Sequence, residues 1–103
     1  AVNDPVAIKL ADDHYWLSLA DGDLLQWALG LAVAQNFDVN IEEPDVSPLA
    51  VQGPKADELM ARVFGEVVRD IRFFRYKRLE FEGQFFVVAR SGWSKQGGFE
   101  VYV

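Results

Sequence analysis

The spacing of hydrophobic and polar positions changes several times along the chain, and each change marks an element. Residues 6–10 and 14–19 are two short runs of β character on either side of Ala11-Asp12-Asp13, which predicts a hairpin turning at the acidic pair. From Asp21 the spacing becomes helical. Leu24, Trp27, Ala28 and Leu31 fall on one stripe, Asp21 or Asp23 can cap its start, and Asn36 can end it in a left-handed turn. Gly30 costs that helix about 1 kcal/mol relative to alanine, so it marks either a close packing contact or a tolerated surface position. Phe37, Val39 and Ile41 then alternate with Asp38, Asn40 and Glu42, predicting a half-buried strand that stops at Glu43-Pro44.

Residues 49–52 read as a strand entering a helix, with Pro54 suited to the first helical position. Ala56, Leu59, Met60, Val63 and Phe64 form one apolar stripe that ends at Gly65, and Met60 on it is a core residue rather than a ligand. Residues 69–81 and 84–90 flank Glu82-Gly83, a tight hairpin turn, and the unbroken Phe85-Phe86-Val87-Val88-Ala89 predicts a central strand buried on both faces. At the carboxyl end Phe99, Val101 and Val103 must point one way and Glu100 and Tyr102 the other. The expected order is ββαββαβββ, an α+β fold of two helices and a largely antiparallel sheet. No repeat or low-complexity linker divides residues 1–103, which read as a single segment.

That last strand carries the densest chemistry. Glu100 and Tyr102 on one face stand about 7 Å apart, next to a loop with Gly92, Gly97, Gly98 and the aromatic Trp93. This is the layout of a small-molecule pocket wall. It is also the layout of an edge strand with a wet polar face, which spacing alone favours.

Composition narrows the classes. A chain of 103 residues, 50% apolar, holds one small core and not a multidomain enzyme. Its net charge of −6 argues against a nucleic-acid or anionic-membrane binder. With 0 cysteines there is no disulfide frame and no thiolate metal site, which is compatible with a cytoplasmic location. Neither a signal peptide nor an apolar run of spanning length is present. His14 is the 1 histidine, so no histidine-based triad or metal cluster can be built, and at a hairpin edge it reads as a surface residue. The glycines of the late loop lead into a strand, not a helix, so they form no phosphate cradle.

Charge is unevenly spread. Arg69, Arg72, Arg75, Lys77 and Arg78 are half of the 10 basic residues, whereas most of the 16 acids precede them. A basic strand interleaved with Phe73, Phe74 and Tyr76 could bind an anion or a nucleic acid. The overall negative charge favours a solvated strand face paired with the acidic half of the fold.

Ser91-Gly92-Trp93-Ser94 followed by Gly98-Phe99-Glu100-Val101 resembles the signature loop and strand of the glycine-cleavage T-protein family, folate-dependent aminomethyltransferases. Asn3-Asp4-Pro5-Val6, residues 16–20 and residues 49–56 resemble further segments of the same family. The Asn-Asp-Pro-Val, Asp-Val-Ser-Pro-Leu-Ala-Val-Gln-Gly-Pro and Phe-Phe-Arg-Tyr runs are similar to those of its dimethylsulfoniopropionate demethylase branch. The resemblance covers nearly the whole chain and only a middle portion of a family member. It implies part of the folate-binding T-protein fold, with tetrahydrofolate as cofactor and a small-molecule methyl donor as partner.

By the same resemblance, Glu100 takes the place of the strand glutamate that binds the pterin ring, and Tyr102 borders that site. Asp4 matches the acidic position near the one-carbon centre, where charge stabilises a cationic substrate. Trp93, where T-proteins carry tyrosine, offers an indole face to a sulfonium, and Ser18 belongs to the substrate side. Asn3 and Leu19 depart from the aminomethyltransferase pattern, so methyl transfer from a sulfonium is expected over aminomethyl transfer. An isolated segment is expected to be inactive and to self-associate through open sheet edges. The alternatives are an aminomethyltransferase and a non-catalytic folate-binding or interaction module.

Overall fold

A computed structural model describes residues 4–91 and 97–103. The chain divides into two compact units, residues 1–44 and 45–103.

In the first unit β1 (Val6–Ala11) and β2 (His14–Ser18) pair antiparallel through the expected Asp12-Asp13 turn, with a bulge between Lys9 and Ala11. The bulge shifts the register so that Ala11 meets His14 and a turn of only two residues closes the hairpin. His14 is exposed, as expected. Helix α1 (Leu24–Gln35) starts after Asp23 and ends at Asn36, whose backbone is left-handed at φ 53° and whose N–H reaches back to Ala32 and Val33. Asp23 occupies the cap position without a side-chain cap bond. No residue of α1 is buried, and a Cβ added at Gly30 meets nothing within 4 Å. Of the two readings of Gly30, the open surface is the one observed.

The strand expected over residues 37–41 does not form. Those residues have no ladder partner, and Phe37 and Val39 stand exposed. Alternation gave them a strand's pattern, but a strand needs a neighbour to take its backbone hydrogen bonds, and the sheet of the second unit is built without them. The observed order is therefore ββαβαβββ, within the expected α+β class.

The second unit is one four-stranded antiparallel sheet with a helix on one face. Its strands are β3 (Pro48–Gln52), β4 (Tyr76–Phe81), β5 (Gln84–Ala89) and β6 (Gly98–Tyr102), in the order β3-β6-β5-β4. Helix α2 (Ala56–Phe64) begins two residues after Pro54, and a short 3-10 helix (Glu66–Asp70) follows the expected stop at Gly65. Ala56 and Met60 of α2 pack with Val68, Ile71, Val88, Phe99 and Val101, and Val51, Phe64, Leu79 and Phe86 close the cluster. Every sheet member of that core lies on one face, since β6 contributes its odd positions and β5 its even ones. Phe64 meets Phe81 and Phe86 edge-on, with centroids 6.0 and 6.2 Å away.

The β4–β5 hairpin turns on Glu82 and Gly83, with φ of 49° and 79°. Two positive φ values in a two-residue loop match the right-handed twist of the flanking strands. Val87, Val88 and Ala89 are buried on both faces, as expected for a central strand, but Phe85 at the turn end is exposed. The basic run is not one strand. Arg69 lies in the last turn of the 3-10 helix, Arg72 and Arg75 lie in the following turn, and only Lys77 and Arg78 enter β4. Arg69 pairs with Glu66 at 2.7 Å, so at least this cation is neutralised locally rather than across the fold.

Phe99 is fully buried at the centre of the core. Phe99→Ala is expected to lower unfolding stability by about 3–5 kcal/mol, the usual cost of a large cavity, measured by urea denaturation of this chain.

Candidate functional site

Two successive residues at the end of β5 divide the sheet's chemistry between its faces. Arg90 continues the even positions toward α2, and Ser91 continues the odd ones toward the opposite face. Arg90 is held on its side by an ion pair in which Nη2 alone donates to both carboxylate oxygens of Asp57, at 3.0 and 2.9 Å. Its Nη1 donates to the Ile71 carbonyl at 3.2 Å, and the guanidinium lies 4.9 Å from the Phe99 ring centroid. A planar fork suits this set of partners, and a lysine would not reproduce it.

The backbone around Arg90 is fixed as well. The Phe74 N–H donates to the Arg90 carbonyl at 2.9 Å, and the Arg90 N–H donates to Arg75 at 2.9 Å. Phe74 adopts φ 59°, a left-handed conformation that is costly for a bulky side chain. The bonds to Arg90 hold it there.

On the opposite face stand Glu100 and Tyr102. The ladder places Ala89 and Ala50 beside Glu100, and Val87 and Pro48 beside Tyr102, so the acid and the phenol are framed by small or apolar neighbours. Tyr102 is buried and Glu100 half-buried. The Tyr102 hydroxyl donates to Glu100 Oε2 at 3.3 Å, and the Ser91 hydroxyl donates to the same oxygen at 2.6 Å. The expected pairing of acid and phenol on one strand face is therefore observed. The wet edge strand is not, because β6 is an inner strand between β3 and β5.

Both hydroxyls go to one oxygen. Among the described residues Oε1 receives no donor, and it keeps the carboxylate's remaining capacity to accept N–H groups. A half-buried carboxylate with one oxygen tied and the other open, on a face of small apolar neighbours, can recognise a planar group with adjacent ring and amino N–H donors.

The other expected residues lie elsewhere. Asp4 is exposed just ahead of β1, and Ser18 is the half-buried last residue of β2. Because Val6 pairs with Ser18, these two share one end of the hairpin in the first unit. Trp93 lies outside the described residues. Among the described residues no cluster of three or more His, Asp or Glu could hold a metal ion, and no helix is long and apolar enough to cross a membrane.

Sequence reasoning missed Ser91, Arg90 and Asp57 as parts of this arrangement. The signal for Ser91 was its odd position in line with Val87 and Ala89, but placing it beside Glu100 requires the β5–β6 register. Asp57 carried no signal beyond its place in the first turn of a helix.

Removing the clamp should loosen the whole strand end. Asp57→Ala leaves the Arg90 charge without its partner and is expected to cost about 1–2 kcal/mol, below the full value of a charged hydrogen bond because Asp57 is partly open to water. Chemical denaturation of the variant against the parent chain checks it.

A model of the family described as GCVT N-terminal domain matches residues 1–103. The chain is 80% identical over 102 residues to dimethylsulfoniopropionate demethylase DmdA of Ruegeria pomeroyi, covering 99% of this chain and 28% of that protein. It is 30% identical over 106 residues to an aminomethyltransferase of Alkaliphilus metalliredigens, covering 99% of this chain and 29% of the relative. An aminomethyltransferase of Lysinibacillus sphaericus is 31% identical over 105 residues, 98% of this chain and 29% of the relative. The chain thus spans less than a third of the length of these relatives.

Proposed function

Because the chain belongs to the GCVT N-terminal domain family, we propose that residues 1–103 are one segment of the folate-binding region of a tetrahydrofolate-dependent one-carbon transferase. The observation that carries this reading is the Glu100 carboxylate, held through Oε2 by Ser91 and Tyr102, with Oε1 receiving no donor among the described residues. A carboxylate in that state fits the adjacent N–H and amino donors of a pterin ring, with Tyr102 bordering the ring. Tetrahydrofolate, when bound, supplies the nucleophilic nitrogen that accepts the one-carbon unit.

The donor proposed is a sulfonium of the dimethylsulfoniopropionate kind. The 80% identity to the demethylase, against 30% and 31% to the two aminomethyltransferases, supports this choice. So do Asn3 and Leu19, which depart from the aminomethyltransferase pattern. A sulfonium methyl is already electrophilic, so the protein's task is to align methyl carbon and nitrogen in a water-poor site. Asp4 supplies a negative charge for the cationic donor, Trp93 an indole face for the sulfonium, and Ser18 a hydroxyl on the substrate side. The chemistry calls for no metal. Work in the cytoplasm, without nucleic-acid or membrane partners, and self-association of the isolated segment through open sheet edges complete the reading.

Two measurements on the full-length protein test it. Glu100→Gln should weaken tetrahydrofolate binding by about 1.5–3 kcal/mol in titration calorimetry, the worth of a hydrogen bond to a charged group, and equal affinity would remove Glu100 from the site. Methylated folate should form from dimethylsulfoniopropionate and not from an aminomethyl-loaded carrier protein. Turnover of the carrier alone would move the assignment to aminomethyl transfer.

A further inference from the structure

Ser91 is buried, at 6% exposure. A buried hydroxyl is costly unless it is bonded, and this one spends its proton on Glu100 Oε2 at 2.6 Å, the shorter of the two bonds to that oxygen. The residue before it cannot shift, because Arg90 is fixed by Asp57, by the Ile71 carbonyl and by its backbone bonds to Phe74 and Arg75. Ser91 therefore reaches Glu100 from a rigid mount on the neighbouring element, whereas Tyr102 stands on the same strand as the acid and bonds at 3.3 Å.

We propose that Ser91 is a positioning residue for ligand recognition: it locks the Glu100 carboxylate so that Oε1 is presented to the ligand's N–H donors. This rests on the folate reading of Glu100 and deepens it. A glutamate side chain has three rotatable bonds, and an unheld carboxylate must be ordered each time a ligand binds. A hydroxyl that orders it beforehand removes that cost and settles which oxygen remains open. The Asp57–Arg90 pair acts one step further back, fixing the backbone from which Ser91 reaches out. The consequence is specific to the cofactor side: losing the Ser91 hydroxyl weakens folate binding and leaves the affinity for the methyl donor unchanged.

The test is a set of variants in the full-length protein, Ser91→Ala, Ser91→Thr and Ser91→Val, with Glu100→Gln alongside. Tetrahydrofolate Kd is read by titration calorimetry, the KM for the sulfonium donor by initial rates, and Tm by thermal denaturation. Threonine and valine have the same shape and differ in the hydroxyl, so any steric cost cancels between them. Ser91→Ala and Ser91→Val are expected to raise the tetrahydrofolate Kd roughly tenfold, with Ser91→Thr staying well below Ser91→Val and the donor KM unchanged in all three. Wild-type affinity in Ser91→Ala, or equal Kd values for Ser91→Thr and Ser91→Val, would overturn the proposal while a weakened Glu100→Gln left the folate reading standing. Wild-type affinity in Glu100→Gln would instead overturn the folate reading and this proposal with it.

Discussion

The second unit's site depends on the register that the buried core imposes on β5 and β6, and the Asp57–Arg90 pair secures the end of β5 in that register. Side chains on a strand alternate, so pinning Arg90 toward α2 commits Ser91 to the other face. One half-buried ion pair thereby joins the helix, the turn after the 3-10 helix and the last two strands. Its worth in stability is modest, as for any pair partly open to water. The burial of Val88, Phe99 and Val101 is what forbids a one-residue slip, which would exchange the two faces.

The sheet separates two tasks by parity alone. Phe99 and Val101 on one face of β6 fill the core against α2, and Glu100 and Tyr102 on the other present polar groups among Ala50, Ala89, Val87 and Pro48. The polar face can then vary without altering the core, though not the reverse. A change at Glu100 leaves the core untouched, whereas a change at Phe99 removes the support beneath the polar face. The strained backbone at Phe74 belongs to the same frame, because its amide is tied to the Arg90 carbonyl.

The first unit differs in character. Its helix is apolar nearly all round yet has no buried residue, and the hairpin before it carries Asp4 and Ser18 at one end. The family match runs through this unit as well as the second.

The elements themselves were legible in the sequence wherever a local rule governs them: the hairpin turns at Asp12-Asp13 and Glu82-Gly83, the left-handed stop at Asn36, Ala56 and Met60 in the core though Leu59 of the same stripe is exposed, the opposed faces of the last strand. Each depends on residues close in the chain, on period or on a φ that one residue type tolerates. Residues 37–41 misled because alternation marks what a strand needs from its side chains and says nothing of whether a partner strand exists. The basic run misled because charge spacing does not report where a turn falls. Glu100 beside Tyr102 followed from period two alone, but Ser91 on Glu100 and Arg90 on Asp57 join residues 9 and 33 positions apart. Such pairs are set by sheet register and helix placement, which depend on the packing of the whole core, and only the tertiary structure decides them.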